Sequence, residues 1–264
     1  MDPADEYAPV AEPPPAVPAA TLVIFRHDPA GGPAQLLIVE RSTALSFAGG
    51  AVVFPGGRVD DADRELALTL GGNDPDEELA ARIAAVRETL EETGLAVGFA
   101  QPIDAVKARA ARELLLAEGT LAPVLARFGW TLDRARLIPF ARWRPRHNHR
   151  RVYDTRFYLA DLGTGAVDLT VDATENTRLF WASAAEALRM AEERRIKMIF
   201  PTRRNLERLA QFADFTAARA HAELFPVRTI SPYVEQRAGT DWLCIPEGRG
   251  YPVTSERFSE VERG

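Results

Sequence analysis

The run Arg87-Glu88-Thr89-Leu90-Glu91-Glu92-Thr93-Gly94-Leu95 carries the residues most suited to chemistry. Residues three and four apart are neighbours on a helix, so Glu88, Glu91 and Glu92 share one stripe. Three like charges packed that closely repel, and folding does not ask for them. A hard divalent cation does: Mg²⁺ takes oxygen ligands and is commonly held by carboxylates together with substrate phosphates. The stripe therefore reads as a metal platform for phosphate chemistry. The plainer reading is a solvated acidic helix face, since most charged stripes lie at the surface.

The elements around the stripe must hold it. Arg87 lies four residues before Glu91, so its guanidinium can fix one carboxylate's orientation. Ile83, Val86 and Leu90 form a second stripe that can pack on a core. Asp74 suits the N-cap, Pro75 the first helical position and Gly94 the stop. The spacing predicts a helix of about twenty residues with the glutamates near its C-terminal end.

The string resembles the tail of the Nudix box, Arg-Glu-aliphatic-x-Glu-Glu-x-Gly-aliphatic. Arg87, Glu88, Glu91, Glu92, Gly94 and Leu95 match it, and Thr89 departs from an aliphatic residue. Phe54-Pro55-Gly56-Gly57 resembles the entry to the same box. The family's glycine precedes the arginine by fourteen residues, whereas Gly57 precedes Arg87 by thirty. The extra length is predicted to hold a short helix over Asp60 to Leu70 and a Gly71-Gly72-Asn73 turn. The family also places a glutamate eight residues before the arginine. That position is Leu79 here, with Glu77 and Glu78 adjacent.

The resemblance implies an α/β Nudix fold, a mixed sheet between helices with helical insertions. It implies Mg²⁺ or Mn²⁺ held by Glu88, Glu91 and Glu92 with the Gly57 region carbonyl. Glu88 or Glu175 is expected as the general base, with Arg87 orienting the platform. Asp172 is the rival to Glu175. Hydrolysis of a diphosphate linkage in a nucleoside diphosphate joined to another moiety follows.

Arg41-Ser42, Gly50 and Phe54 to Gly57 keep the spacing of a coenzyme A signature found in some Nudix hydrolases. Ser46 stands where that signature has a second arginine, and serine is a weaker phosphate ligand. The enlarged box resembles the branch that includes the peroxisomal CoA diphosphatases. Coenzyme A or acyl-CoA is thus the first expected substrate, and ADP-ribose, NADH or a nucleotide sugar the alternative. Arg41, Ser42, Gly56, Arg144, Arg146 and Arg156 are expected to bind it. Arg144 and Arg146 belong to a basic run, Arg142 to Arg151, whose bland reading is a solvated loop; His147 and His149 within it make a weaker metal pair. A sensing module without turnover is a third reading, against which the three intact glutamates argue.

Composition narrows the remaining classes. The chain has 264 residues, 46% of them hydrophobic, and a formal net charge of −6. Asp2, Asp5, Glu6 and Glu12 supply most of that excess, so no basic field recruits nucleic acid. Cys244 is the only cysteine, which suits a reducing cytoplasm and excludes internal disulfides. No run of apolar residues is long enough to span a membrane. Residues 1–18 read as a disordered acidic, proline-rich tail, 19–225 as the Nudix domain and 226–264 as a C-terminal extension. Insertions are expected over about 60–74 and, helical with a break near Gly119, about 103–130. Strands are expected over Thr21–His27, Gln35–Glu40, Ala51–Phe54, Leu95–Phe99, Ala135–Trp143, Thr155–Asp161, Arg178–Trp181 and Trp242–Ile245, and helices over Ser183–Arg194 and Thr202–Ala222. A homodimer accords with the family.

Overall fold

The computed structural model describes residues 15–43, 48–71, 76–145, 152–162 and 176–261. In chain order the elements are strands β1 (Ala16–Arg26), β2 (Gln35–Arg41), β3 (Ala51–Val53) and β4 (Gly56–Arg58), and helices α1 (Asp61–Gly71), α2 (Glu77–Thr93), α3 (Ala105–Glu118) and α4 (Leu121–Phe128). Then come β5 (Ile138–Trp143), β6 (Val152–Asp161), β7 (Asn176–Ala182), α5 (Ala184–Glu192), β8 (Lys197–Met198), α6 (Phe200–Leu209) and α7 (Phe215–Leu224). Strands β9 (Thr229–Ile230), β10 (Tyr233–Arg237), β11 (Thr240–Cys244) and β12 (Ser255–Arg257) close the chain.

One mixed sheet runs β8-β3-β2-β1-β6-β5-β9, with β4 added on β1 and β7 on β2. Its centre is the parallel β1–β6 pair, from Ala16 opposite Val152 to Phe25 opposite Asp161. Both faces are covered, so β1 reads as a nearly continuous apolar run. Ala20, Leu22 and Ile24 face α2, packing with Ile83, Val86 and Leu90. Val23 and Phe25 face the opposite core, with Met190, Phe200 and Leu206 from α5 and α6. This is the expected α/β layering of a mixed sheet between helices.

Helix α2 starts two residues later than its spacing suggested. Asp76, not Asp74, is its N-cap, accepting from the Leu79 N–H, and Glu77 is its first residue. Asp74 and Pro75 themselves lie outside the described residues. The end is as expected: Gly94, at φ 76°, donates its N–H to the Leu90 carbonyl. The box insertion forms α1, and the later insert forms α3 and α4, broken at Gly119. Ser183 caps α5 through the Glu186 N–H at 3.1 Å.

Four expectations are corrected. Residues 16–18, assigned to the tail, begin β1 and pair with β6. Leu95–Phe99 is no strand: Phe99 makes a single bridge to Leu132, and the buried Leu95, Val97 and Phe99 pack as an apolar connection instead. The long helix over Thr202–Ala222 is two helices, because Asp214 caps a new start at the Ala217 N–H and the Ala213 carbonyl is taken by the Ala34 N–H. The segment from Phe225 is not a separate extension. It adds β9 to the main sheet and folds β10–β12 into a small antiparallel sheet. Ile230, Leu243, Ile245, Tyr251 and Phe258 lie in the same core as Val23 and Phe200.

Candidate active site

Strand β4 threads between β1 and the last turns of α2, and its two glycines bring backbone against the glutamates. Gly56 N–H donates to Glu92 Oε2 at 3.0 Å. A Cβ on Gly57 would collide with the Glu88 carboxylate, and one on Gly56, at φ 153°, with β1 backbone. Neither position admits a side chain. The ladder with β1 also decides which carbonyl is available. Leu22 N–H bonds the Pro55 carbonyl and Val59 N–H the Pro18 carbonyl, with Gly57 opposite Ala20 midway. Antiparallel pairs alternate, so the Gly57 carbonyl belongs to the ladder and the Gly56 carbonyl turns away from β1. Of the Gly57 region, named as a source of a cation-binding carbonyl, it is the Gly56 oxygen that the ladder turns away from β1.

Arg87 is buried and organises the stripe. It meets Asp63 with two parallel bonds, Nε to Oδ1 and Nη2 to Oδ2, both 3.0 Å. The same guanidinium donates to the Arg58 carbonyl at 3.0 Å and lies 3.0 Å from Glu88 and 3.5 Å from Glu91. Burial works against its charge, but the acids of Asp63, Glu88 and Asp60 hold it firmly protonated. Asp63, 1% exposed, is thus the carboxylate that answers Arg87, not Leu79 or its neighbours. Leu79 lies in the core, and Glu78 bonds Tyr158, Arg82 and Arg156. The signal for Asp63 lay in the sequence: the family's glycine and glutamate are six apart, and six residues after Gly57 is Asp63. The insertion falls after that acid rather than before it.

Glu92 is 4% exposed. Burial first, and Glu88 second, push its carboxyl up to about 8, while the Gly56 N–H, Asn176 and Arg41 pull the other way. Among the described residues no three His, Cys, Asp or Glu side chains stand at metal-holding distance from one another. Glu88 lies against Gly57 and Arg87, Glu91 is drawn toward Arg87, and Glu92 takes the Gly56 N–H. The surroundings nonetheless suit a hard divalent cation. They supply anionic oxygens, an outward backbone carbonyl and a buried carboxylate that lacks a full counter-charge.

Arg41 reaches this platform, close enough to act on Glu92. It ends β2 opposite Asn176, where the register shifts after Glu40. Ser42 follows it and is partly buried. Asn176 was not expected, and no sequence signal marks it. Arg156 is not brought to the glutamates. Its guanidinium lies 3.3 Å from Glu78, ten residues or about 15 Å back along α2 from Glu88. Arg142 is held by Asp154 through two bonds of 2.7 and 2.6 Å. Arg144 is fixed through its backbone, its N–H to Ile230 and its carbonyl to the Ser231 hydroxyl. Ser46, Arg146, His147, His149, Arg150, Arg151, Asp172 and Glu175 lie outside the described residues.

A cavity of about 240 Å³ opens between the end of α2 and α3, lined by Gly94, Leu95, Ile103, Arg109, Arg112 and Leu162. Arg112 ties its wall to the Glu91 carbonyl at 2.8 Å. Its size suits a fragment rather than a whole nucleotide.

Among solved structures, a Nudix hydrolase from Alicyclobacillus acidocaldarius superposes with a TM-score of 0.66 at 25% identity, over 78% of this chain and 96% of its own. A MutT Nudix hydrolase from Burkholderia pseudomallei covers 73% of this chain and 97% of its own at 16% identity, with a TM-score of 0.41. The Nudix domain of Shewanella oneidensis NrtR, complexed with ADP-ribose, covers 73% and 85% at 12% identity, with a TM-score of 0.39. No protein-family model matches the chain, and no curated protein does. The fold is that of the Nudix hydrolases, and the first of these likenesses supports placing the chain in the Nudix superfamily. It supports equally an enzyme acting on pyrophosphate bonds.

Proposed function

We propose that this chain is a Mg²⁺- or Mn²⁺-dependent hydrolase of a diphosphate linkage in a nucleoside diphosphate joined to another moiety. The observation that carries the reading is the packing of Glu88 and Glu92 against Gly57 and Gly56, with Arg87 locked behind them by Asp63. Glu88, Glu91, Glu92 and the Gly56 carbonyl would hold the cation, which when bound neutralises phosphoryl charge and lowers the pKa of water. Glu88 takes the proton from the attacking water at its carboxylate, with Glu175 as the other candidate base. Arg87 is a positioning residue: its guanidinium, 3.0 Å from Glu88, holds that carboxylate in orientation. Arg41 binds a phosphoryl oxygen and aligns the substrate.

Coenzyme A or acyl-CoA is the first substrate, supported by the Arg41-Ser42, Gly50 and Phe54–Gly57 spacing and by Arg41 lying beside Glu92. One observation favours a substrate without a 3′-phosphate, such as ADP-ribose, NADH or a nucleotide sugar. Arg142 and Arg156 already answer Asp154 and Glu78, leaving fewer cations for an extra phosphate. Among the described residues no helix is long and apolar enough to cross a membrane. We place the enzyme in the cytoplasm, as a homodimer free of nucleic acid.

Incubation with Mg²⁺ and a pool of CoA, acetyl-CoA, ADP-ribose, NADH and UDP-glucose, followed by mass spectrometry, tests this directly. The appearance of 3′,5′-ADP and 4′-phosphopantetheine, absent with Glu92→Gln, supports the first substrate. Cleavage of another pool member alone supports the second. No cleavage with either Mg²⁺ or Mn²⁺, but a ligand-induced rise in melting temperature, would instead favour a sensing module.

A further inference from the structure

Asn176 opens β7 and faces Arg41 across the bulge that follows Glu40. A bulge re-aims the side chains beside it. Thr177 fixes this one through its hydroxyl, which donates to the Glu40 carbonyl at 3.2 Å. The result brings Arg41 and Asn176 together on the side of the sheet that faces Glu92. Asn176 is 1% exposed. Neither its amide nitrogen nor its amide oxygen has a hydrogen bond of ordinary geometry, and the buried Nε of Arg41 has none either. Both residues nonetheless lie close enough to Glu92 to stabilise its charge.

Buried polar atoms are normally paired, and each exception calls for a reason. Three of them beside one buried carboxylate share a reason if a ligand arrives there. A primary amide has two N–H donors and one acceptor oxygen. Turned with its nitrogen to Glu92, Asn176 has its oxygen left over, and amide oxygens are ordinary ligands of hard cations and of the waters they carry.

We propose that Asn176 is a positioning residue of the cation platform, its N–H holding Glu92 and its amide oxygen serving the cation directly or through one bound water. Arg41 Nε beside it is then left for a phosphoryl oxygen. The proposal rests on the cation-dependent reading above but adds a residue outside the box, delivered by strand register alone.

Mn²⁺ titration of the substrate-free protein, followed by electron paramagnetic resonance, tests it without turnover. Asn176→Leu is expected to weaken Mn²⁺ binding about tenfold, in the range seen for groups that orient metal ligands. Its melting temperature without cation should change little, since leucine removes a buried amide oxygen without a partner together with the amide's contact to Glu92. Asn176→Asp keeps an oxygen there and is expected to retain Mn²⁺ while melting lower without it, because a further carboxylate joins Glu88 and Glu92. Unchanged affinity in Asn176→Leu, or equal losses in both variants, would overturn the proposal. Should Asn176→Leu fail to fold, Asn176→Ala against Asn176→Asp decides on the same terms. If the unmodified protein itself holds no Mn²⁺, the cation-dependent reading falls and this inference with it.

Discussion

At the scale of single residues, the platform depends on a few atoms held by others. Glu92→Gln keeps shape and Gly56's partner oxygen but removes the charge, so turnover should fall by at least about 10²-fold with little change in melting temperature. Asp63→Asn attacks the same chemistry from behind. It leaves Arg87 with weaker bonds and frees Glu88 to move, and a loss of roughly 10–100-fold in activity or cation affinity is expected. Steady-state kinetics across a Mg²⁺ series would show the deficit as a higher cation requirement. If Asp63→Asn needs no more Mg²⁺ than the unmodified protein, the Arg87–Asp63 pair is structural only.

Elements set where those residues stand. Helix α2 is fixed at both ends, by the Asp76 cap and by Gly94 in the left-handed region, and β4 presses its glycines on the last turns. Gly94→Ala keeps the helix but strains its stop, at a cost of about 1–2 kcal/mol by thermal unfolding. Gly57→Ala is a different case. Its Cβ meets the Glu88 carboxylate, so activity should be lost out of proportion to stability. A variant with normal turnover would show that β4 does not need to approach α2 this closely. The helix, the two glycines and the insert α1 were all legible in the sequence, because each is written in local spacing. The boundary between α6 and α7 was not: the apolar stripe runs on through it, and only the Asp214 cap and the Ala34–Ala213 bond interrupt it.

On the scale of the whole molecule, Ile230, Leu243, Ile245, Tyr251, Phe258 and Val261 bring the segment after Phe225 into the core beneath the sheet. Tyr251 accepts from Trp143 Nε1 at 3.2 Å and donates to Asn205 at 2.6 Å. Arg208, 1% exposed, is sandwiched between the rings of Phe140 and Tyr251 and donates to the Phe140 carbonyl. Truncation after Phe225 would open this core, and circular dichroism should show loss of a cooperative transition rather than loss of assembly alone. The same junction carries a pH dependence. Burial pushes Glu207 up to about 7 from its ordinary 4.5, against the pull of Arg204. The folded protein then binds the proton more tightly than the unfolded chain, so stability falls as pH rises from about 4.5 to 7. Glu207→Gln should flatten melting temperature against pH in that window, and an unchanged slope would assign the effect to another group.

The sequence by itself determined the chemistry on offer: three carboxylates on one helical stripe, an arginine beside them and a glycine pair ahead, all encoded by short-range spacing. The layered α/β fold followed from the family resemblance that this spacing carries, together with the alternation of strand and helix patterns along the chain. Spacing from Gly57 marks Asp63, but the tertiary structure showed that this acid answers Arg87, because an insertion moved it 24 residues away in the chain while leaving it adjacent in space. Tertiary structure also decided that Arg142 and Arg156 face Asp154 and Glu78, while Arg41 and Asn176 face Glu92. Charges of one kind look alike in a sequence. Strand register and one bulge determine which of them find a partner within the fold and which lie beside the platform.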